Sequence, residues 1–180
     1  MIPGQQKKID FMHSLAALEP DLVMNTGDNL SHVDGMGPLL EALDPLMDFP
    51  GVFVPGSNCY FAPVFKNPAR YLWQPRTPQM IEEGSRVALP IERMHEAFES
   101  RGWTGLVNRY DTLNLKGLRL EFSGVDDPHL RYDEHPGFAP GAFDEGEEPS
   151  VRIGVAHAPY MRTLHRFVQD GAQAIFAGHT

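Results

Sequence analysis

The chain has a single cysteine, Cys59, in 180 residues, which rules out an internal disulfide framework. Such cysteine use fits a reducing compartment, and a cytoplasmic location is the expectation. Cys59 itself reads as a small buried hydrophobe, since no reactive partner is fixed by sequence. No apolar stretch reaches the length of a bilayer span, and the N-terminus has no signal-peptide hydrophobic region. No membrane span is therefore expected within these residues, although an anchor upstream of Met1 would lie beyond them. Positive charge is scarce. With 15 Lys and Arg against 24 Asp and Glu, the net charge of −9 argues against a nucleic-acid backbone as the main partner. A phosphate-bearing substrate stays compatible with that charge if metal cations supply what the side chains lack. Repeats and linkers are also missing, so residues 1–180 read as one domain, long enough to bury a core. Nothing in the sequence fixes the oligomeric state.

What is present is an alternation of helical and strand-like segments. Apolar residues at helical spacing (Ile9, Met12, Leu15, Ala16, Leu18) predict a helix over 5–19, ended by Pro20. Further helices are predicted over about 36–48, with Pro38 in the first turn, over 91–101, closed by Gly102, and over about 160–170. Strands are predicted at 21–26, 51–54, 104–107, 111–115, 118–123, 151–155 and 174–177, with Lys116-Gly117 as a hairpin turn. The early strand–loop–helix–strand rhythm is that of a layered α/β fold. The group at 104–123 suggests a second sheet. Two irregular segments interrupt the rhythm. One runs from Phe61 to Pro90 and carries Pro63, Pro68, Pro75, Pro78, Arg70, Tyr71 and Trp73; it reads as a structured surface loop or as a cap that selects substrate. The other, 125–149, includes the acidic block Asp144-Glu145-Gly146-Glu147-Glu148, which reads as solvated.

Four short apolar runs end in a polar ligand beside a turn. Leu22-Val23-Met24 leads to Gly27-Asp28-Asn29, and Val52-Phe53-Val54 to Gly56-Ser57-Asn58. Val151 to Val155 leads to Ala156-His157, and Ala174-Ile175-Phe176 to Gly178-His179. In open α/β sheets, ligands bind outside the carboxyl ends of the strands. An Asp, an Asn and two His delivered there by separate strands make an oxygen and nitrogen site suited to Mn, Fe or Zn. Taken singly, Asp28 is an Asx-turn or cap residue and each His a satisfied core histidine. Together and in this order they point to metal.

In that order, the motifs resemble those of the calcineurin-like metallophosphoesterases, and the matched pieces run from residue 27 to residue 180. The resemblance implies a sandwich of two mixed β-sheets flanked by helices. It also implies a dinuclear centre of two divalent ions (Mn, Fe or Zn), whose bound hydroxide attacks phosphorus. Gly27-Asp28 is similar to the second motif, whose Asp bridges both ions; His157 is similar to the lone His, and Gly178-His179-Thr180 to the start of the last motif. Gly56-Ser57-Asn58 is similar to the third motif as a bacterial phosphodiesterase-like branch writes it, as is Gly124-Val125-Asp126-Asp127-Pro128. The implied substrate is a phosphomonoester or phosphodiester, on a small molecule or linked to lipid.

The chain departs from the family at three places. The first motif, Asp-x-His, is absent, and the chain is expected to begin just after it; the last motif stops at Thr180, before its second His. In the third motif, Ser57 is the ligand if the turn is aligned without a gap, and Asn58 if it is aligned on chemistry. Asn58 is preferred, because an amide oxygen binds a metal more readily than a neutral hydroxyl. The general-acid His is then missing. His32 and His129 are candidates to replace it, since a histidine pKa suits proton donation, although each also reads as an exposed loop residue. Asn29, Asp126 and Asp127 are assigned to orienting a ligand or the substrate. His13, His95 and His165 read as surface residues on helices. These departures sustain a rival expectation, a catalytically silent binding module on the same scaffold.

Overall fold

A computed structural model describes residues 1–63, 86–140 and 150–179. Two open sheets form. In the first, β1 (Val23–Asn25), β2 (Gly51–Phe53) and β3 (Thr104–Gly105) lie in the order β1-β2-β3, and both pairings are parallel. In the second, β4 (Arg109–Leu115) and β5 (Leu118–Gly124) form an antiparallel hairpin. Two further strands, β6 (Ser150–Ala156) and β7 (Ala174–Ala177), extend that sheet in parallel, giving the mixed order β4-β5-β6-β7. Its hairpin turn places Lys116 and Gly117 at φ of 50° and 80°, the double left-handed geometry whose twist matches the flanking strands.

Alternation along the strands sorts side chains into three apolar layers. Val52 and Val54 face Leu106, Leu120, Phe122, Ile153 and Val155 in the layer between the sheets. Phe53, between them in sequence, faces the opposite way into a core with Leu39, Leu43, Met94, Phe98 and Trp103. That core is covered by α1 (Gln6–Ala16), α2 (Met36–Leu43) and α4 (Ile91–Ser100); α3 (Ser57–Tyr60) is a single turn after β2. On the far side, α5 (Met161–Gln169) lays Phe167 against Ala156 and Val125. Gly154 is required there, because a Cβ would meet the Phe167 ring at 2.7 Å. The result is α/β, two sheets packed face to face with helices outside.

Several boundaries differ from expectation for identifiable reasons. The predicted helix over 36–48 ends as α2 at Leu43, because Pro45 has no N–H to donate to the Glu41 carbonyl. His13 Nε2 sits 2.8 Å from that carbonyl instead. The first helix stops at Ala16, and Glu19 turns the chain with φ of 48°. The segment at 104–107 joins the first sheet rather than the second. Trp103 anchors it, donating from its indole to Phe49 O at 3.1 Å and packing where a Cβ on Gly51 would clash at 2.4 Å. Leu106 then crosses into the layer between the sheets, its N–H donating to Phe53 O at 2.8 Å.

The long irregular segment begins and ends as a pair: Phe61 bridges Ala88, and Ala62 N donates to Val87 O at 2.9 Å. Residues Pro68, Arg70, Tyr71, Trp73, Pro75 and Pro78, expected to form a surface loop or a substrate-selecting cap, lie outside the described residues, as do the acidic block 144–148 and Thr180. The outer edge of β1 has no strand partner among the described residues. Beside it runs a groove of about 820 Å³, lined by Met12, Leu15, Leu22, Met24, Leu39 and Leu43, that reaches Thr26 to Asn29.

Candidate metal centre

Asp28, His157 and His179 leave the C-terminal ends of β1, β6 and β7, and one ligand atom of each lies within 4.8 Å of the others. The sequence reason lies mostly in glycine. A Cβ on Gly27 would come within 2.6 Å of Gly56 N, and a Cβ on Gly56 within 2.6 Å of both Asp28 Oδ1 and the His157 ring. Only two bare backbones let the β1 and β2 loops close around that imidazole. Gly27 at φ 98° and Asp28 at φ 57° make the reversal, and Asp is among the few residues that accept the left-handed region. Gly178 does the same for the last strand. Its N–H donates to His157 O at 2.8 Å, and a Cβ there would strike Thr26 Oγ1 at 2.7 Å.

Within the cluster, His157 Nδ1 lies 2.7 Å from the Thr26 carbonyl, which can only accept, so Nδ1 carries a proton; Nε2 presents a lone pair when the ring is neutral and donates towards Asp28 when it is charged. Imidazoles that bind metals commonly have their second nitrogen committed to a carbonyl or carboxylate in this way. His157 Nε2 stands 3.0 Å from His179 Nδ1 and 3.3 Å from Asp28 Oδ1, and His179 Nδ1 is 3.9 Å from Asp28 Oδ2. The 3.0 Å between the two ring nitrogens is a hydrogen-bond distance, and it is also compatible with two nitrogens bound cis to one ion at about 2.1 Å, which would sit about 3.0 Å apart.

Asn58 is brought to the same place, but through its donors. Its backbone N–H donates to Asp28 Oδ1 at 2.9 Å and its Nδ2 to Oδ2 at 2.8 Å. Burial acts to raise the Asp28 pKa, yet the hydrogen bonds from His157 and the Asn58 N–H, with the two histidine charges, hold it below the ordinary carboxylate value. Burial likewise acts to lower the His157 pKa, and the hydrogen bonds to Asp28 and Thr26 reverse it, leaving the imidazole more basic than usual.

Around this set, Asn29 braces the first sheet. Its N–H lies 3.3 Å from Cys59 Sγ, and its Oδ1 accepts from Asn25 Nδ2 at 3.0 Å. Cys59 is fully buried, and desolvation pushes its thiol pKa up, so it packs rather than reacts. Asp126 accepts the Tyr60 hydroxyl on both oxygens at 2.7 Å, tying α3 to the loop after β5. Asp127 is fully buried; its Oδ1 accepts from His129 N at 2.9 Å, while no described residue satisfies Oδ2. Burial raises the pKa of both carboxyls.

The two candidate acids separate in space. The His129 ring lies 5.1 Å from the His179 ring, and its Nδ1 is 2.9 Å from the Tyr160 hydroxyl. His32 sits instead in an exposed turn, capping a short 3-10 helix (Val33–Gly35) through Nδ1, which accepts from Asp34 N at 3.1 Å. Neither Tyr160 nor the supports beneath it stand out in the sequence. Asn108, at φ 50°, accepts from Asp126 N and Glu134 N and donates to Tyr132 O, pinning the 126–134 loop from the β4 side. Asp133 pins it from α5 by accepting from Arg162 at 2.7 Å and Thr163 at 2.8 Å. An Asn in left-handed backbone is the only one of these with a usable local signal.

Chemically, one carboxylate and two imidazoles fit one borderline divalent ion such as Mn, Fe or Zn. Among the described residues, no second group of three such ligands converges. No protein-family model matches the chain, and no curated protein matches it at a significant level.

Proposed function

We propose that this chain is a metal-dependent phosphoester hydrolase, a phosphomonoesterase or phosphodiesterase of the calcineurin-like metallophosphoesterase kind. The observation that carries the reading is the convergence of Asp28, His157 and His179, with the His157 tautomer fixed by the Thr26 carbonyl. Asp28 supplies the anionic oxygens and His157 a rigid lone pair. His179 supplies a second nitrogen, and Asn58 aims the carboxylate. A divalent ion bound there supplies Lewis-acid polarisation of a phosphoryl oxygen and the positive charge that a chain of net charge −9 lacks. The second ion implied by the resemblance remains part of the proposal and needs ligands beyond this set.

The substrate we infer is a phosphoester, on a small molecule or linked to lipid, handled in the cytoplasm. No described helix is long and apolar enough to cross a membrane. The test is hydrolysis of aryl phosphomonoesters and phosphodiesters by Mn-, Fe- or Zn-supplemented protein, with the Asp28→Asn variant as control. Turnover that disappears in the variant supports the reading. Turnover equal in both rejects it.

One observation favours a binding module instead. The third-motif turn offers no histidine, and its Asn58 amide is spent as a donor to Asp28. Stoichiometric metal uptake without hydrolysis of any phosphoester would select that reading.

A further inference from the structure

The groove of about 820 Å³ beside β1 falls in the size range of small-molecule sites. Helix α1 contributes Met12 and Leu15 to its lining, α2 contributes Leu39 and Leu43, and the β1 side contributes Leu22 and Met24. The lining continues to Thr26, Gly27, Asp28 and Asn29, the loop that carries Asp28 into the metal cluster. Lys8 lines the same groove and has no ion-pair partner among the described residues. One concavity therefore joins an aliphatic body to the carboxylate that would hold a divalent ion.

We propose that this groove takes the alkyl or acyl tail of an amphiphilic phosphoester whose phosphoryl group sits at the Asp28 cluster. The inference rests on the phosphoester-hydrolase reading and narrows its substrate to one that carries a chain. Aliphatic walls gain free energy by removing methylenes from water, and Met12 and Met24 are side chains that adapt to a flexible chain. At the Asp28 end, a bound divalent ion would complement an anionic phosphate, and the Lys8 ammonium adds positive charge to the same groove. A second copy fits poorly, because a concave face does not complement itself. An extended peptide would have to pair with the open edge of β1, which is three residues long. Val23 N donates to Pro50 O and Asn25 O accepts from Val54 N, so within β1 only Met24 turns its N–H and C=O to that edge. One peptide unit gives main-chain pairing little to contribute, whereas the aliphatic lining and the charged end both match an amphiphile.

The experiment uses the full 180-residue chain loaded with Zn. The probes are inorganic phosphate, octyl phosphate, decyl phosphate and 1-decanol, each below its aggregation concentration. Calorimetric affinity should rise in the order inorganic, octyl, decyl phosphate, by roughly fivefold to fifteenfold for the last two methylenes. 1-Decanol, which lacks the anionic end, should bind more weakly than decyl phosphate. Leu15→Gln, at a part-buried position, should weaken decyl phosphate at least about threefold and leave inorganic phosphate within about twofold. A readout on the wild-type chain needs no substitution: decyl phosphate should shift the Met12 and Met24 methyl resonances by more than inorganic phosphate does, and leave Met161 on α5 unmoved. Equal affinity for inorganic and decyl phosphate with Zn bound, or tighter binding without movement of Met12 and Met24, overturns this inference and leaves the hydrolase reading standing. 1-Decanol binding as tightly as decyl phosphate would separate the groove from the ion and overturn it too. So would tighter binding of the peptide acetyl-(Val-Thr)3-amide with protection of the Met24 N–H from exchange. Absence of Zn uptake by the wild-type chain overturns both readings.

Discussion

His157 and His179 follow neighbouring parallel strands and point at the same carboxylate, yet they are held very differently. The His157 side chain is 2% exposed, packed against two glycines, with Nδ1 committed to Thr26 O. The His179 side chain is 37% exposed and follows the outermost strand of its sheet among the described residues, at φ 54°. One imidazole is built into the closure of the two sheets. The other is presented at the rim. Metal affinity should depend on both, whereas stability without metal should depend mainly on the first.

The largest effect that separates them comes from alanine substitution. His157→Ala should lower Zn affinity by more than the 10–100-fold typical of losing an outer support, and should also lower the melting temperature of the metal-free chain. His179→Ala should lower affinity comparably, yet leave metal-free stability within about 0.5 kcal/mol, as expected of a surface change. Calorimetric titration and thermal melts of both variants check this. Equal melting losses would erase the distinction.

Next in size is Gly56→Ala. The added Cβ would lie 2.6 Å from Asp28 Oδ1 and from His157 ring atoms, so something must move. We expect a loss of about 1–3 kcal/mol, the usual cost of overpacking, together with weakened metal binding. A denaturant melt that matches wild type would mean the closure is looser than the glycine pair implies.

The pH dependence sharpens the same contrast. The His157 pKa is raised in the folded chain, so its contribution to metal-free stability is fully present below the unfolded value of 6.5 and is lost as pH rises through the higher folded value. The Asp28 pKa is lowered, so its contribution is present above 3.8 and is lost as pH falls through the lower folded value. The gap in melting temperature between wild type and Asp28→Asn should therefore be widest between these limits and narrow towards alkaline pH. A gap that widens above neutrality would contradict the assigned pairing.

The smallest effect concerns Asp127. Burial raises its pKa, so ionisation opposes folding once pH exceeds 3.8. Asp127→Asn should modestly raise the metal-free melting temperature at neutral pH. The gain should vanish in acid, where both states carry the proton.

Much of this was legible in the residues. The strand-end positions of Asp28, Asn58, His157 and His179 follow from apolar runs that stop at Gly-rich turns, because buried strands must be apolar and their ends must turn. The Lys116-Gly117 hairpin and the helices carrying Ile9, Met94 and Phe167 were likewise readable from local chemistry. The sheet to which Thr104 and Gly105 belong was not, since Trp103 decides it by packing on Gly51, a contact between distant segments. Asn58 reads as a ligand by residue type, yet its orientation depends on where the Asp28 carboxylate stands. Tyr160 and Asp133 leave no local signal, because their roles exist only once α5 packs against the 126–134 loop. His32 and His129 looked alike in sequence; three-dimensional placement separates them.

The central claim is that Asp28, His157 and His179 hold a divalent ion. X-ray absorption spectroscopy on Zn-supplemented protein, with metal stoichiometry measured alongside, tests it most directly. The account predicts one tightly held ion per chain, in a shell of nitrogen and oxygen ligands at about 2.0–2.2 Å that includes two imidazoles, and loss of that ion in Asp28→Asn. No stoichiometric metal, or a shell without imidazole that survives Asp28→Asn, would contradict it.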